Sequence, residues 1–511
     1  MSPTISRTIV YGTIIFIVLS VVAIPTRAET TPRKPNIVVI LADDLGYGDV
    51  QCYNPERGKI PTPQIDRLAS QGMRFTDAHS SSGVCSPSRY TLLTGRYHWR
   101  TRLQTWIVPL WGKPLIAPDR MTIGTLAKQH GYRTAAIGKW HLGWDWPITP
   151  EQRQWLGAQV KDGVATEEHR RVWQEIFSQP IPGGPTTRGF DAYFGTDVPN
   201  WPPYCFIEND RTVGIPSELL PPEKFTGGEW LASIQGPAFP GWEFEPILPT
   251  LVERAERFIA ESAAKSEPFL LYMPLTTPHT PIAPNEEWRG KSDLKHLVAD
   301  LIMETDAVVG HIVDALEKAG QTENTLLLFT SDNGFAHYVG AKELESQGHF
   351  PSGPLRGYKG DVCEGGHRMP FVVRWPKVVK PNTVNHQLIH HADFMATLAD
   401  ILGSQLPDDA GEDGFSILPL LQGKDKVIRE HAVSCATDGT PGVRQGDWKL
   451  IVGQKPQLYN LADDLGEKND LAGQHPDRVE QMFTLYEKIV SDGRSNSGPV
   501  LKNDVALPRR R

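Results

Sequence analysis

Four short apolar runs constrain this chain more than any other feature, because each stops at side chains able to do chemistry. NIVVILADDLGYGD (36–49) stops at Asp43 and Asp44, and RTAAIGKWHLG (133–143) at Lys139 and His141. PFLLYMPLTTPHTP (268–281) stops at His279, and NTLLLFTSDNG (324–334) at Asp332 and Asn333. Unbroken apolar runs of this length predict strands covered on both faces. Helical patterns lie between them, at 62–75, 122–132, 251–265 and 297–320. Strand–helix alternation predicts an α/β fold built on a mostly parallel sheet. Ligands bind such sheets beyond the carboxyl ends of the strands, so four strands ending in ionisable or amide groups predict one site at that edge.

After about residue 430 the pattern changes. GVRQGDWKLIV and PQLYNLADD read as short antiparallel strands, and 477–493 as an amphipathic helix. This predicts a smaller α+β domain over 431–511, with the tail PRRR expected to be disordered. A length of 511 residues, more than one core usually serves, agrees. A net charge of −8 disfavours a nucleic-acid partner but leaves room for an anionic small ligand. At the N-terminus, Arg7 precedes a 16-residue uncharged run (9–24), and Ala28 offers a small residue for cleavage. Residues 1–28 therefore read as a signal peptide, and the chain as exported to a bacterial periplasm or secreted. The run falls short of the roughly 20 residues that span a bilayer, although a retained anchor is the alternative. No stable membrane span is expected after cleavage.

Asp43, Asp44, Asp332 and Asn333 would converge if their strands are neighbours. All four offer oxygen, which favours a hard cation: calcium first, magnesium second. The competing reading is that DD and DN form turns and helix caps. GVCSPSRYTLLTG (83–95) raises a different question. Ser86 as N-cap and Pro87 as first helical residue predict a helix running to Gly95. Cys85 then lies just before a helix N-terminus, with Arg89 in the first turn, where a thiol should be acidic and reactive. A soft thiolate suits a hard, carboxylate-bound cation badly, and an oxygen there would suit it better.

CSPSRYTLLTG closely resembles the cysteine signature of the type I sulfatases. ILADDLGYGD, GKWHLG, TPHTP, TSDNG, LRGYKGDVCEGGHRMP, DWKLI and QLYNL are similar to further sulfatase blocks, in the family's order, over roughly 34–475. The nearest subgroup is arylsulfatase A-like. The resemblance implies the alkaline-phosphatase-like α/β sandwich, with a catalytic domain over 33–430 and a small C-terminal sheet. It also implies that a maturation enzyme oxidises Cys85 to Cα-formylglycine, whose hydrate is the nucleophile and whose oxygen joins the metal ligands. Lys139 and Lys359 would hold the sulfate, Arg89 a diol oxygen. His141 would act as elimination base and His279 as acid on the leaving oxygen. His367 and Cys363 depart from the family pattern, in EGGHRMP and beside it.

Five cysteines leave one over in an exported protein, and Cys85 accounts for it. Cys52, Cys205, Cys363 and Cys435 could form two disulfides in three connectivities or stay reduced. Segment 144–245 is rich in aromatics: Trp144, Trp146, Trp155, Trp173, Trp201, Tyr204, Trp230 and Trp242. They could stack on a sulfated carbohydrate or fill a satellite core. Two alternatives remain at this stage. One is a phosphomonoesterase or phosphodiesterase of the same superfamily, the other a calcium-stabilised glycan-binding protein with an unmodified cysteine.

Overall fold

The computed structural model describes residues 1–6, 8–12, 34–156, 164–225 and 233–507. Most of the signal run, Ala28, Trp230 and the PRRR tail lie outside the described residues. The chain divides into two units, Met1–Arg33 and Lys34–Arg511. Everything below concerns the second. Among the described residues no helix is long and apolar enough to cross a membrane.

In chain order the main sheet holds β1 (Asn36–Asp43), β2 (Met73–Phe75), β3 (Arg133–Ile137), β4 (Ala192–Gly195) and β5 (Ile207–Glu208). It continues with β6 (Arg211–Thr212), β7 (Phe269–Pro278), β8 (Thr325–Ser331), β9 (Phe371–Arg374) and β10 (Thr383–Asn385). Their spatial order is β10-β2-β9-β8-β1-β7-β3-β4-β5-β6. The five central strands β8, β1, β7, β3 and β4 run parallel, and β9 is antiparallel to β8. All four apolar runs are thus adjacent, in the order β8-β1-β7-β3.

Alternate residues of these strands feed two cores. Val38, Ile40, Leu271, Met273, Leu327 and Phe329 pack with helices Ile247–Ala264 and Leu297–Lys318. Ile37, Val39, Leu41, Leu270, Tyr272 and Leu328 pack on the other face with helices Cys85–Thr94 and Ile123–Gln129. Burial on both faces is why the runs show no polar alternation. Each buried aliphatic side chain contributes about 1.5–3 kcal/mol, so a charge at Val39 would break the centre of the sheet.

Two helix boundaries differ from expectation. The pattern at 62–75 is helical only over Pro63–Ser70, and Met73–Phe75 becomes β2. Gly72 permits the change: a Cβ there would stand 2.2 Å from the Val373 carbonyl oxygen. The helix expected to begin at 251 begins at Ile247, since Pro249 falls in the first turn, where a missing N–H costs nothing.

The C-terminal part forms a separate antiparallel sheet, β11 (His431–Cys435), β12 (Pro441–Gln445), β13 (Trp448–Ile451) and β14 (Gln457–Asn460). Helix Pro476–Asp492 covers it through Met482, Tyr486 and Ile489, in a core that also takes Tyr97 and Trp99. Buried charges tie this sheet to the chain before it. Lys449 Nζ donates to Glu364 Oε1 at 3.0 Å, and Arg444 bonds Asp77.

Candidate active site

The parallel strands deliver their terminal side chains to one place. β1 ends as Asp44 takes φ 66°, a left-handed conformation that aspartate tolerates. Asp43, Asp44 and Asp332 each offer an oxygen within 4.8 Å of the others, all buried. After β3, Gly138 has φ 134°, and a Cβ there would lie 1.8 Å from the Pro274 carbonyl oxygen. The chain can therefore turn tightly against β7 and bring Lys139 to Asp43, Nζ to Oδ2 at 2.7 Å. Lys359, on the loop before Gly360, reaches Asp44 Oδ2 at 2.7 Å, and Asn333 Nδ2 donates to Asp44 Oδ1 at 2.7 Å.

Cys85 is the first residue of its helix rather than the residue before it. Val84, with extended backbone, is the N-cap, and the Ser86 hydroxyl instead accepts from the Val108 N–H at 3.1 Å. Pro87 remains inside the first turn, where it removes no helical hydrogen bond. Arg89 is wholly buried and committed to the protein. Nε and Nη2 reach Asp332 Oδ2 at 3.0 and 2.7 Å, and Nη1 donates to the Lys139 carbonyl at 3.0 Å. Nη2 also lies 3.3 Å from Asp43. The Cys85 sulfur lies within 4.8 Å of ligand atoms of Asp43 and His279.

The electrostatics follow from burial. The Cys85 thiol is pushed up by burial, which outweighs the nearby Lys139 and Lys359, so the expected acidic thiol is not found. Burial also works against the Asp43 charge, but Lys139, His279 and Arg89 hold its carboxyl well below the usual range. Asp332 goes the other way, up to about 7, through burial and the neighbouring Asp43. Burial and the two lysines push His279 down to about 4. Burial, Lys139 and Arg89 hold His141 well below the ordinary imidazole value. Both rings are therefore neutral at pH 7, and their hydrogen bonds fix which nitrogen carries the proton. His141 Nε2–H donates to the Val108 carbonyl at 3.2 Å, leaving Nδ1 buried and without a partner. His279 Nδ1–H donates to the Thr280 carbonyl at 2.7 Å, leaving Nε2 as acceptor, 3.7 Å from Asp44.

The donor set fits a hard cation. It is all oxygen, and two of its buried atoms, Asp43 Oδ1 and Asn333 Oδ1, accept no hydrogen bond. All ten residues marked in the sequence are thus brought together. Three contributors carried no sequence signal: the Val108 carbonyl, the Thr280 carbonyl and Ser331, whose Oγ accepts from the Leu45 N–H at 3.1 Å. Backbone carbonyls have no residue-type signature. The aromatic segment divides differently. Trp144, Trp146, Trp173, Tyr204 and Trp242 are buried in the cores, whereas Trp201 meets the His141 ring at 5.6 Å. The five cysteines are all free, so none of the three disulfide connectivities is present.

A mostly parallel sheet whose strand ends gather buried oxygen donors, a helix-borne Cys85 and three cations defines a hydrolase of the alkaline phosphatase superfamily. The chain belongs to the sulfatase family, whose model matches residues 35–404, while that of the N-sulphoglucosamine sulphohydrolase C-terminal region matches 359–491. It is a type I, arylsulfatase A-like sulfuric ester hydrolase. It is 34% identical to the N-acetylgalactosamine-6-O-sulfatase of Bacteroides thetaiotaomicron over 89% of this chain and 93% of that protein. Human arylsulfatase A is 30% identical over 86% and 84%. A structure solved in work on glycosaminoglycan metabolism by B. thetaiotaomicron aligns with TM-score 0.76 at 32% identity, covering 89% of this chain and 99% of that one. Ps i-CgsB bound to k-i-k-neocarrahexaose aligns with TM-score 0.67 at 26% identity, covering 89% and 92%.

Proposed function

We propose that this chain removes sulfate esters from a sulfated carbohydrate outside the cytoplasm, with Cys85 oxidised to formylglycine and calcium as the bound ion. The single observation carrying the mechanism is the placement of Cys85. Its sulfur stands among hard oxygen donors and cations, at a helix start, with its pKa raised. Sulfur has little to do there, and an oxygen would fit. As a hydrate, the aldehyde offers one hydroxyl to attack sulfur and a second whose deprotonation releases inorganic sulfate. Asp43, Asp44, Asp332, Asn333 and the residue-85 oxygen would hold calcium, which would supply positive charge to the attacking hydroxyl and to the sulfate.

The chain's own groups do the rest. Arg89 fixes Asp332 and Asp43 and keeps an Nη1–H with which to hold a diol oxygen. Lys139 and Lys359 hold sulfate oxygens. His141 Nδ1, the orphaned acceptor, takes the proton of the elimination step. His279 Nε2 carries the proton for the leaving oxygen. That ring is neutral in the empty site, and an arriving anionic ester is what makes protonation favourable. Such acid–base help is worth roughly 10²–10⁴ in rate.

Cys85 is 2% exposed in the folded chain, so the maturation enzyme must act before folding closes over it. The relatives acting on N-acetylgalactosamine sulfate or binding a neocarrahexaose support the carbohydrate reading. The test has two arms. Mass spectrometry of the fragment holding residue 85, from active material, should show CHO in place of CH2SH. A panel of sulfated mono- and oligosaccharides should release inorganic sulfate. An unaltered thiol in fully active protein would overturn the mechanism.

A further inference from the structure

The loop that bonds the Cys85 helix and His141 carries an exposed aromatic residue. Trp106 is 67% exposed, whereas every other described tryptophan is buried or half-buried. Among the described residues its ring makes no aromatic or cation contact and its indole N–H no hydrogen bond. Its backbone, however, is held firmly. It takes φ 60°, a left-handed conformation that a bulky residue adopts only when its surroundings enforce it. The Trp106 N–H donates to the Thr437 carbonyl at 2.7 Å, and the Thr437 N–H donates to the Gly360 carbonyl at 2.9 Å, next to Lys359. Two residues further on, Val108 bonds Ser86 through its N–H and His141 through its carbonyl. The loop is thus pinned on one side to the Lys359 loop and on the other to the start of the Cys85 helix and to His141. Trp111, which shares the positive φ, differs in being buried against Trp146 and Phe177. Packing explains Trp111; nothing in the fold uses the Trp106 ring.

We propose that Trp106 is a specificity-determining platform, on which the apolar face of the sugar carrying the sulfate ester stacks. An exposed indole on a loop bonded to the site's own elements would give an apolar surface to the C–H face of a pyranose while the ester enters among Lys139, Lys359 and the carboxylates. The backbone anchoring matters because a pre-positioned ring loses little freedom on binding. Trp106 takes no part in bond making; it positions the leaving alcohol. This inference rests on the carbohydrate reading.

The experiment measures kcat and KM for the parent, Trp106→Ala and Trp106→Phe on the sulfated saccharide panel, with inhibition by inorganic sulfate as a probe of the sulfate pocket alone. The expected result is a roughly tenfold rise in KM for the alanine variant, about 1.4 kcal/mol, with kcat changed less. Phenylalanine should recover most of the loss, and inorganic sulfate should inhibit all three proteins equally. If the parent hydrolyses a saccharide sulfate and the alanine variant stays within twofold in KM, the platform is overturned and the carbohydrate reading stands. A parent that releases sulfate from an aryl ester but from no saccharide would overturn both.

Discussion

Lys139 and Lys359 are the sharpest place to separate turnover from stability, because the same chemistry is built at different depths. Lys139 is completely buried and its ammonium lies 2.7 Å from the equally buried Asp43. The Lys359 side chain is 11% exposed, and its partner Asp44 keeps a second bond from Asn333 if the lysine goes. As holders of sulfate oxygens they should matter alike. Removing one preorganised charge donor costs about 3–4 kcal/mol of transition-state stabilisation, or roughly 10²–10³ in kcat. Folding should respond unequally. Breaking a fully buried pair by removing one partner costs about 3–5 kcal/mol. At Lys139 the low end applies, since Arg89 still lies 3.3 Å from Asp43. At Lys359 the loss should be about 1–2 kcal/mol, that of a partly solvated charged hydrogen bond. The assay pairs initial rates on an aryl sulfate with urea unfolding of Lys139→Ala and Lys359→Ala at fixed calcium. Either variant folding normally and turning over within threefold of the parent would refute the sulfate-holding role. Equal unfolding free energies for the two would refute the argument from depth.

Three further outcomes are expected. Chelation with EGTA should abolish turnover and lower the thermal midpoint, and calcium at about 100 times its Kd should return about 2.7 kcal/mol, magnesium less; an unshifted midpoint would remove the ion from the site. Buried His98 is pushed down to about 3, so the unfolded chain takes the proton first, near pH 6.5, and stability is lost as pH falls below that value. The parent should therefore lose up to about 1.4 kcal/mol per pH unit relative to His98→Asn between pH 6.5 and 5, and parallel curves would contradict this. Glu364, wholly buried, accepts from Lys449 and Arg368 and bonds none of the ten site residues, so Glu364→Gln should cost about 3–5 kcal/mol of stability while activity per folded molecule, titrated by tight inhibitor, stays at the parent level.

How far the sequence reaches depends on whether residue type or backbone does the work. The four strand ends are legible because a doubly covered strand must be continuously apolar and its first polar residue is therefore conspicuous. The Cys85 helix is legible from Ser86, Pro87 and Gly95, yet its start is misplaced by two residues, since Val84 is the N-cap and Ser86 bonds the loop at Val108 and does not cap. The loop over 101–110 is the least legible part. Val108 acts through its main chain, and the Trp106 conformation is imposed by Thr437, more than three hundred positions away. The tryptophan-rich segment misleads for the same reason: composition shows rings, and only packing shows that Trp144 and Trp173 are core.

Arg89 shows how one residue identified by its motif can also carry a structural role that the motif does not announce. From the signature it would hold a diol oxygen; in the fold it also bonds Asp332 and the Lys139 carbonyl and lies 3.3 Å from Asp43. The physical reason lies in the charge balance. Asp43, Asp44 and Asp332 face Arg89, Lys139 and Lys359, so with all three carboxylates ionised the buried cluster carries no net charge. A neutral cluster can be buried at tolerable cost, whereas three carboxylates alone could not. It would also have little pull on an anionic ester until a divalent ion was added, which would turn the site strongly positive where the proposed mechanism brings the sulfate. The arginine thus makes the carboxylates foldable first, and in the proposed mechanism it would keep them in place for the ion while the two lysines exchange a carboxylate for a sulfate oxygen.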